Sequence, residues 1–266
     1  MTIFNREAFK GKHILITGAT GGIGEELAYE AVKYGASLTL TGRNKEKLET
    51  IKNKCRLPDT DVNILTVTAD LTNEYDRKLL VDKAVNIQGP IDGLVNSAGI
   101  TGGDTVEELK EDDMRLVMEL NYTSTVMLTQ LVYRHMKERK SGAIVNLSSL
   151  SGLRGTYGNT AYSASKFAIT GFTQSFALEA IEHNIRVNAV CPGFVDTAMA
   201  REIISKKADK AGRSYEEQLA VVNKGLPSGR ITQPLEVVNS ILFLLSPAAE
   251  NIVGESMKIS GGSVMR

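Results

Sequence analysis

Thr17-Gly18-Ala19-Thr20-Gly21-Gly22-Ile23-Gly24 follows a short apolar run and leads into Glu25-Glu26-Leu27-Ala28, where an apolar pattern with helical spacing begins. A strand that ends in glycines and restarts as a helix is the layout of a phosphate-binding turn. Glycine lets the backbone take positive φ, and it lets a pyrophosphate approach the amides of a helix N-terminus, whose dipole favours an anion. The glycine spacing differs from G-x-G-x-x-G, so the position between strand and helix carries the reading. The expected contacts are Gly18, Thr20, Gly21, Gly22, Ile23 and Gly24.

The same rhythm continues outward from this turn. Strand-like runs lie near 13–17, 37–41, 63–69, 91–95, 143–147, 185–190 and 257–259, and helical patterns near 22–34, 45–54, 74–86, 112–140, 162–183 and 234–245. Alternation at this spacing implies right-handed crossovers and a seven-stranded parallel sheet covered by helices on both faces. The 266 residues fit one α/β domain, 1–266, without a second unit. Residues 194–230 interrupt the rhythm as a polar, helical excursion, which at the carboxyl end of a sheet is a candidate substrate lid.

Thirty-one basic residues balance thirty-one acidic ones, which argues against nucleic acid or an anionic membrane as partner. Two cysteines and three histidines provide neither a disulfide framework nor a metal-ligand cluster, so no metal is expected and a reduced, cytoplasmic setting fits. The start mixes apolar and charged residues unlike a signal peptide, and the strongest apolar run, 241–245, is too short to span a bilayer.

The chemistry centres on Tyr162 and Lys166. They stand one helical turn apart, just after the strand-like run Ala143-Ile144-Val145-Asn146-Leu147 that ends in Ser148-Ser149. A neighbouring cation lowers a phenol's pKa from about 10 toward neutrality. The spacing recurs at Tyr29/Lys33 and Tyr133/Lys137, and context separates the three pairs. Only Tyr162 follows a strand end that supplies a hydroxyl, Ser149, at the edge where open α/β sheets bind ligands.

Taken in order, the turn at 17–24, Asn96-Ser97-Ala98-Gly99, Asn121, Ser149, Tyr162-x-x-x-Lys166 and Pro192-Gly193 resemble the short-chain dehydrogenase/reductase family. The likeness runs almost end to end, through Gly261-Gly262. It implies a single doubly wound domain of Rossmann type, a nicotinamide cofactor and a homo-oligomer, dimer or tetramer. It also implies a catalytic set of Asn121, Ser149, Tyr162 and Lys166, in which Tyr162 is the proton donor, Ser149 binds the carbonyl oxygen, Lys166 lowers the Tyr162 pKa and holds the ribose, and Asn121 supports a water-linked proton path. Asn96, Ala98, Gly99, Asp70, Leu71, Asn44, Pro192, Gly193, Val195 and Thr197 are the further cofactor contacts it suggests. Ser97 departs from the family, which more commonly has a second Asn there.

Leu40-Thr41-Gly42-Arg43-Asn44 bears on the choice of cofactor. Gly42 removes the carboxylate that would accept ribose hydroxyls, and Arg43 offers a planar fork for a 2′-phosphate, so NADP(H) is expected. The stretches 188–199 and 229–234 look especially like β-ketoacyl and polyketide ketoreductases, favouring NADPH-dependent reduction of a 3-oxoacyl thioester. Arg134, Lys137, Arg139 and Lys140 form a basic helix end that could meet an acidic acyl carrier protein. A dehydrogenase of a hydroxysteroid, polyol or other secondary alcohol fits the same machinery, and a silent nucleotide-binding protein is a more distant alternative. Leu150, Leu153, Tyr157 and Met199 are candidate substrate-wall residues by position.

Overall fold

The computed structural model describes residues 5–56, 62–102 and 105–265. Seven strands form one parallel sheet: β1 (His13–Ile16), β2 (Ser37–Gly42), β3 (Ile64–Thr68), β4 (Gly93–Asn96), β5 (Gly142–Leu147), β6 (Ile185–Pro192) and β7 (Ser256–Ile259), in the spatial order β3-β2-β1-β4-β5-β6-β7. Every residue of β1 and β4 is buried, which is why these strands read as unbroken apolar runs rather than alternating ones. The chain winds outward in one direction from β1 and in the other from β4. Between these two, with Ile16 opposite Val95, the carboxyl ends open a crevice at a topological switch point.

The helices cover both faces. On one, α1 (Gly22–Lys33), α2 (Lys45–Lys54) and α9 (Pro234–Leu245) bury Leu27, Ala31, Leu48, Ile51, Val238 and Ile241 against the sheet. On the other, α3 (Glu74–Gln88), α5 (Ser124–Arg139) and α6 (Thr160–Ile181) contribute Leu80, Leu128, Val132 and Phe176. Each such leucine, isoleucine, valine or phenylalanine contributes about 1.5–3 kcal/mol of burial.

The single helix expected at 112–140 is instead α4 (Glu111–Met118), a π-turn (Glu119–Thr123) and then α5. The widened turn shifts the backbone bonding by one residue, Ser124 N–H donating to Glu119 O, and hydroxyls add to it: Ser124 Oγ donates to Glu119 O at 2.8 Å and Thr125 Oγ1 to Asn121 O at 3.1 Å. The bulge carries Asn121, which is buried. The excursion after β6 holds α7 (Ala198–Ala211) and α8 (Tyr215–Lys224). Its two ends are tied together, Asp196 N donating to Thr232 O and Thr232 N to Phe194 O, both at 2.8 Å.

A chain of buried amides and hydroxyls crosses the sheet beneath the crevice. Asn96 Nδ2 donates to Thr129 Oγ1 on α5 at 2.9 Å and to Asn146 Oδ1 on β5 at 2.8 Å, and Asn146 Nδ2 donates to Thr173 Oγ1 on α6 at 2.9 Å.

Candidate active site

The glycine turn is built by close approach. Gly18 has φ +62°, and a Cβ there would lie 2.7 Å from Ala98 N; one on Gly24 would lie 2.3 Å from Gly18 O. Gly22 faces Thr197, whose Cγ2 would be 2.8 Å from an added Cβ. Gly21 precedes α1 with no side-chain cap, which leaves the first amides of that helix free to receive an anion. Thr17 was not among the expected contacts, yet it latches the crevice: its Oγ1 accepts from Ser97 N at 3.0 Å and Ala98 N at 3.1 Å. A hydroxyl directly before the first glycine was the available signal. Ser97 thus takes part through its backbone.

At the end of β2, a Cβ on Gly42 would lie 3.1 Å from Thr20 Oγ1, so this position is shaped by the turn itself. Arg43 is exposed beside Asp70. Two hydrogen bonds from Thr72, through its N–H at 3.0 Å and its hydroxyl at 2.8 Å, hold the Asp70 carboxyl below its ordinary range, with Arg43 adding to the effect. The Asn44 side chain caps α2 by accepting from Lys47 N at 2.8 Å, and Leu71 is buried with its carbonyl bonded to Arg77 Nη1. The Asn96 side-chain amide nitrogen points into the buried network toward α5 and β5, while its Oδ1 is buried without a hydrogen-bond partner.

Ser149 lies two residues past the end of β5, and its hydroxyl bonds the phenol of Tyr162. Asn121 is fully engaged: Oδ1 accepts from Ile100 N at 2.8 Å, and Nδ2 donates to Ile100 O at 2.9 Å and Ser165 Oγ at 3.0 Å. Lys166 is buried, with Nζ 5.6 Å from the Tyr162 ring centroid and donating to Leu147 O at 2.8 Å. Gly99 stands between these groups, since a Cβ there would lie 3.1 Å from Asn121 Oδ1 and 3.6 Å from Lys166 Nζ. The expected lowering of the Tyr162 pKa by Lys166 is not realised. Burial pushes the phenol up, with only the Ser149 hydrogen bond opposing it, and burial pulls Lys166 down to about 8 while its ammonium turns to the Leu147 carbonyl. The resulting phenol holds its proton at neutral pH and can donate it.

Cys191 escaped the sequence reading. Its buried thiol touches the Ser148 hydroxyl and the Ser149 backbone next to Lys166, and burial raises its pKa. Pro192 ends β6, Gly193 N donates to Ile259 O at 2.9 Å, Val195 is buried, and Thr197 caps α7 through Ala200 N at 3.4 Å. Of the suggested wall residues, Leu150 packs at Gly193 and Leu153 is half-buried. Met199 is 42% exposed, and Tyr157, at 92% exposed, stands off the surface instead of lining a wall. The other two Tyr-x-x-x-Lys pairs are structural: Tyr29 bonds Glu25, Lys33 pairs with Glu30, and Tyr133 packs edge-on against Phe176.

The basic end of α5 lies far from this crevice. Arg139 bonds Asp92 at 2.8 Å and Ile91 O at 3.2 Å, immediately before β4, and Asn184, just ahead of β6, bonds Lys140 O. Both contacts sit at the amino edge of the sheet, whereas Ser149 sits at the carboxyl edge.

Residues 12–208 match the family model described as short chain dehydrogenase. The chain belongs to the short-chain dehydrogenase/reductase family. It is therefore an oxidoreductase built to use a nicotinamide dinucleotide. Within this family it is 36% identical over 258 residues to the 3-oxoacyl-[acyl-carrier-protein] reductase of Thermotoga maritima, covering 96% of this chain and 99% of that one. It is 34% identical over 256 residues to an acetoacetyl-CoA reductase of an Acinetobacter species, covering 96% and 98%. Among solved short-chain dehydrogenase/reductase structures, an actinorhodin polyketide ketoreductase variant with NADPH superposes with a TM-score of 0.90 at 35% identity, covering 94% of this chain and 96% of that one. An NAD⁺-bound xylitol dehydrogenase reaches the same TM-score, 0.90, at 31% identity, covering 96% and 99%. No helix among the described residues is long and apolar enough to cross a membrane.

Proposed function

We propose that the protein reduces the ketone of a 3-oxoacyl thioester to a secondary alcohol with NADPH. The observation that carries the reading is the hydrogen-bonded Ser149–Tyr162 pair, partly buried at the carboxyl edge of the sheet with the buried Lys166 and Asn121 behind it. The crevice fits the cofactor. Gly18 and Gly24 occupy positions where any Cβ would collide, Gly21 leaves the α1 amides free for the pyrophosphate, and Gly42 with Arg43 favours a 2′-phosphate over bare ribose hydroxyls.

When bound, the nicotinamide supplies the hydride. Ser149 orients the carbonyl oxygen, and Tyr162, kept protonated by burial, delivers its proton to that oxygen as negative charge develops there. Lys166, beside Gly99, is placed to hold the ribose, and Asn121 fixes both the Ile100 peptide and Ser165 on the catalytic helix. Ala98, Pro192, Val195 and Thr197 complete the nucleotide crevice. Positioning of this kind removes much of the entropic barrier. The similarity to a 3-oxoacyl-carrier-protein reductase and to an acetoacetyl-CoA reductase supports the thioester, and the similarity to the ketoreductase solved with NADPH supports the cofactor. The likeness to xylitol dehydrogenase keeps polyol oxidation as the second reading.

The test is reductant oxidation with an acetoacetyl thioester, a steroid ketone and a sugar ketone, NADPH and NADH in parallel. Turnover of the thioester with NADPH is expected, and it should fall by several orders of magnitude in Tyr162→Phe while NADPH binding persists. Activity confined to another ketone would replace the substrate, and full activity in Tyr162→Phe would remove the phenol from the chemistry.

A further inference from the structure

The cations of the α7–α8 excursion are not used by the crevice described above. The cap of helix α7, Thr197, packs against Gly22, so its first turn stands at the nucleotide turn. Ala200, Ile204 and Ala208 form its buried face. A stripe along its flank changes character: Met199 and the partly buried Ile203 come first, then Lys207 and Lys210, with Glu202, Lys206 and Asp209 farther round the helix. Two of the excursion's charges are matched, Arg201 by Asp196 and Lys206 by Glu202, each at 2.7 Å. Lys207 and Lys210 have no carboxylate partner among the described residues. Lys207 leans back over the site, its Nζ 5.9 Å from the ring centroid of Phe194, directly after Pro192-Gly193.

The mouth is electrically lopsided. On the flank of α4, Asp112 and Asp113 have no ion-pair partner among the described residues, Glu111 being paired with Arg115, and Asp113 lines a cavity shared with Ala161, the neighbour of Tyr162. An anionic substrate arm is repelled from that flank and drawn to α7. At 1.5 Å per residue, Met199 to Lys210 spans ~16 Å, a length suited to an extended thioester arm with phosphate at its far end.

Resting on the thioester reading, we propose that the exposed face of α7 is the binding track for the arm of a coenzyme A thioester. Met199 and Ile203 carry the apolar part near the chemistry, and Lys207 and Lys210 take the phosphates. A patch confined to one helix face suits a phosphate-bearing small molecule better than a protein, whose interface needs about 600 Å² or more on each side. The basic end of α5 cannot substitute, because it occupies the opposite edge of the sheet and Arg139 is already bonded to Asp92.

The experiment compares the wild type with the Lys207→Ala/Lys210→Ala double variant on acetoacetyl-CoA and on acetoacetyl N-acetylcysteamine, which keeps the thioester and lacks the phosphates. The variant should raise KM for acetoacetyl-CoA about tenfold or more, the loss expected for charged hydrogen bonds, with kcat unchanged. Its kcat/KM on the truncated thioester should stay at the wild-type level, and Lys206→Ala, whose charge is already paired, should behave as wild type on both. An unchanged KM for acetoacetyl-CoA, or an equal rise on both thioesters, overturns the track. A penalty seen only with an acetoacetyl carrier protein overturns coenzyme A as the occupant. If the wild type reduces neither thioester but does reduce another ketone, the functional reading beneath the proposal is refuted first.

Discussion

Replacing Lys166 by methionine should abolish turnover and yet leave the cofactor-free protein at least as stable as the wild type at pH 7. Lys166 is 5% exposed, and burial holds its amine at about 8 instead of the ordinary 10.5. Keeping that amine charged inside the fold at neutral pH costs about 3 kcal/mol. Against this stands one ammonium–carbonyl hydrogen bond, to Leu147 O at 2.8 Å. Such a bond contributes about 2 kcal/mol. Methionine has similar length and no charge, so the variant should gain about 1 kcal/mol. The pH dependence fixes the cause. Below pH 8 folded and unfolded chains both hold the proton and the penalty is complete; between pH 8 and 10.5 only the unfolded chain still holds it, so the wild type gains stability as pH rises. Urea unfolding followed by far-UV circular dichroism at pH 7 and 9.5 reads the difference. The variant's advantage should shrink at the higher pH. A variant destabilised by more than about 2 kcal/mol at pH 7 would refute the reasoning, as would a wild-type-to-variant gap that ignores pH.

Three further outcomes follow from named contacts. Arg43→Ala should raise KM for NADPH about tenfold and leave NADH use unchanged, because only the 2′-phosphate needs the guanidinium; equal losses with both cofactors would make Arg43 a bystander. Asn121→Ala strands the Ile100 N–H and C=O, while the Ser165 hydroxyl keeps its bond to Tyr162 O, so the urea midpoint should fall by the equivalent of about 2–4 kcal/mol, and a change below about 1 kcal/mol would show that the loop re-bonds itself. His13 is buried between Gly89 O, at 3.0 Å, and Thr39 Oγ1, at 2.8 Å, and burial lowers its pKa despite nearby Asp92. The unfolded histidine takes up a proton as pH falls through about 6.5 while the folded one resists, so stability should drop from pH 7 to 5. His13→Gln should flatten that drop, and an unchanged slope would place its origin elsewhere.

The sheet and most of the crevice could be read from local patterns. Apolar runs of strand length, glycines at a strand-to-helix junction and one-turn spacing on a helix are all encoded by near neighbours, and in the structure Gly18, Ser149, Tyr162 and Lys166 stand at the strand ends and helix turn that those patterns mark. What escaped depends on partners distant in sequence. The inward turn of Asn96 requires knowing that β4 pairs with β5, and the place of Cys191 beside Lys166 requires β6 alongside β5. The π-turn was hidden because Ser124 and Thr125 read as ordinary helix residues until their carbonyl partners are seen. The position of the basic end of α5 was legible and was missed: a crossover helix runs back against its strands, so its C-terminus must return to the amino edge.

Asn96 and Asn146 face each other across β4 and β5 at the carboxyl ends of otherwise apolar strands. Sliding one strand by two residues would keep every side chain on its own face and lose little apolar burial, so hydrophobicity alone tolerates the error. The amide pair does not. A slipped β4 would leave two desolvated amides facing hydrocarbon, at about 1–3 kcal/mol for each stranded group, and would move Ala98 and Gly99 away from Thr17. The polar pair acts as an alignment mark during folding, so that the strand ends, and the catalytic groups they carry, come to rest at matching heights.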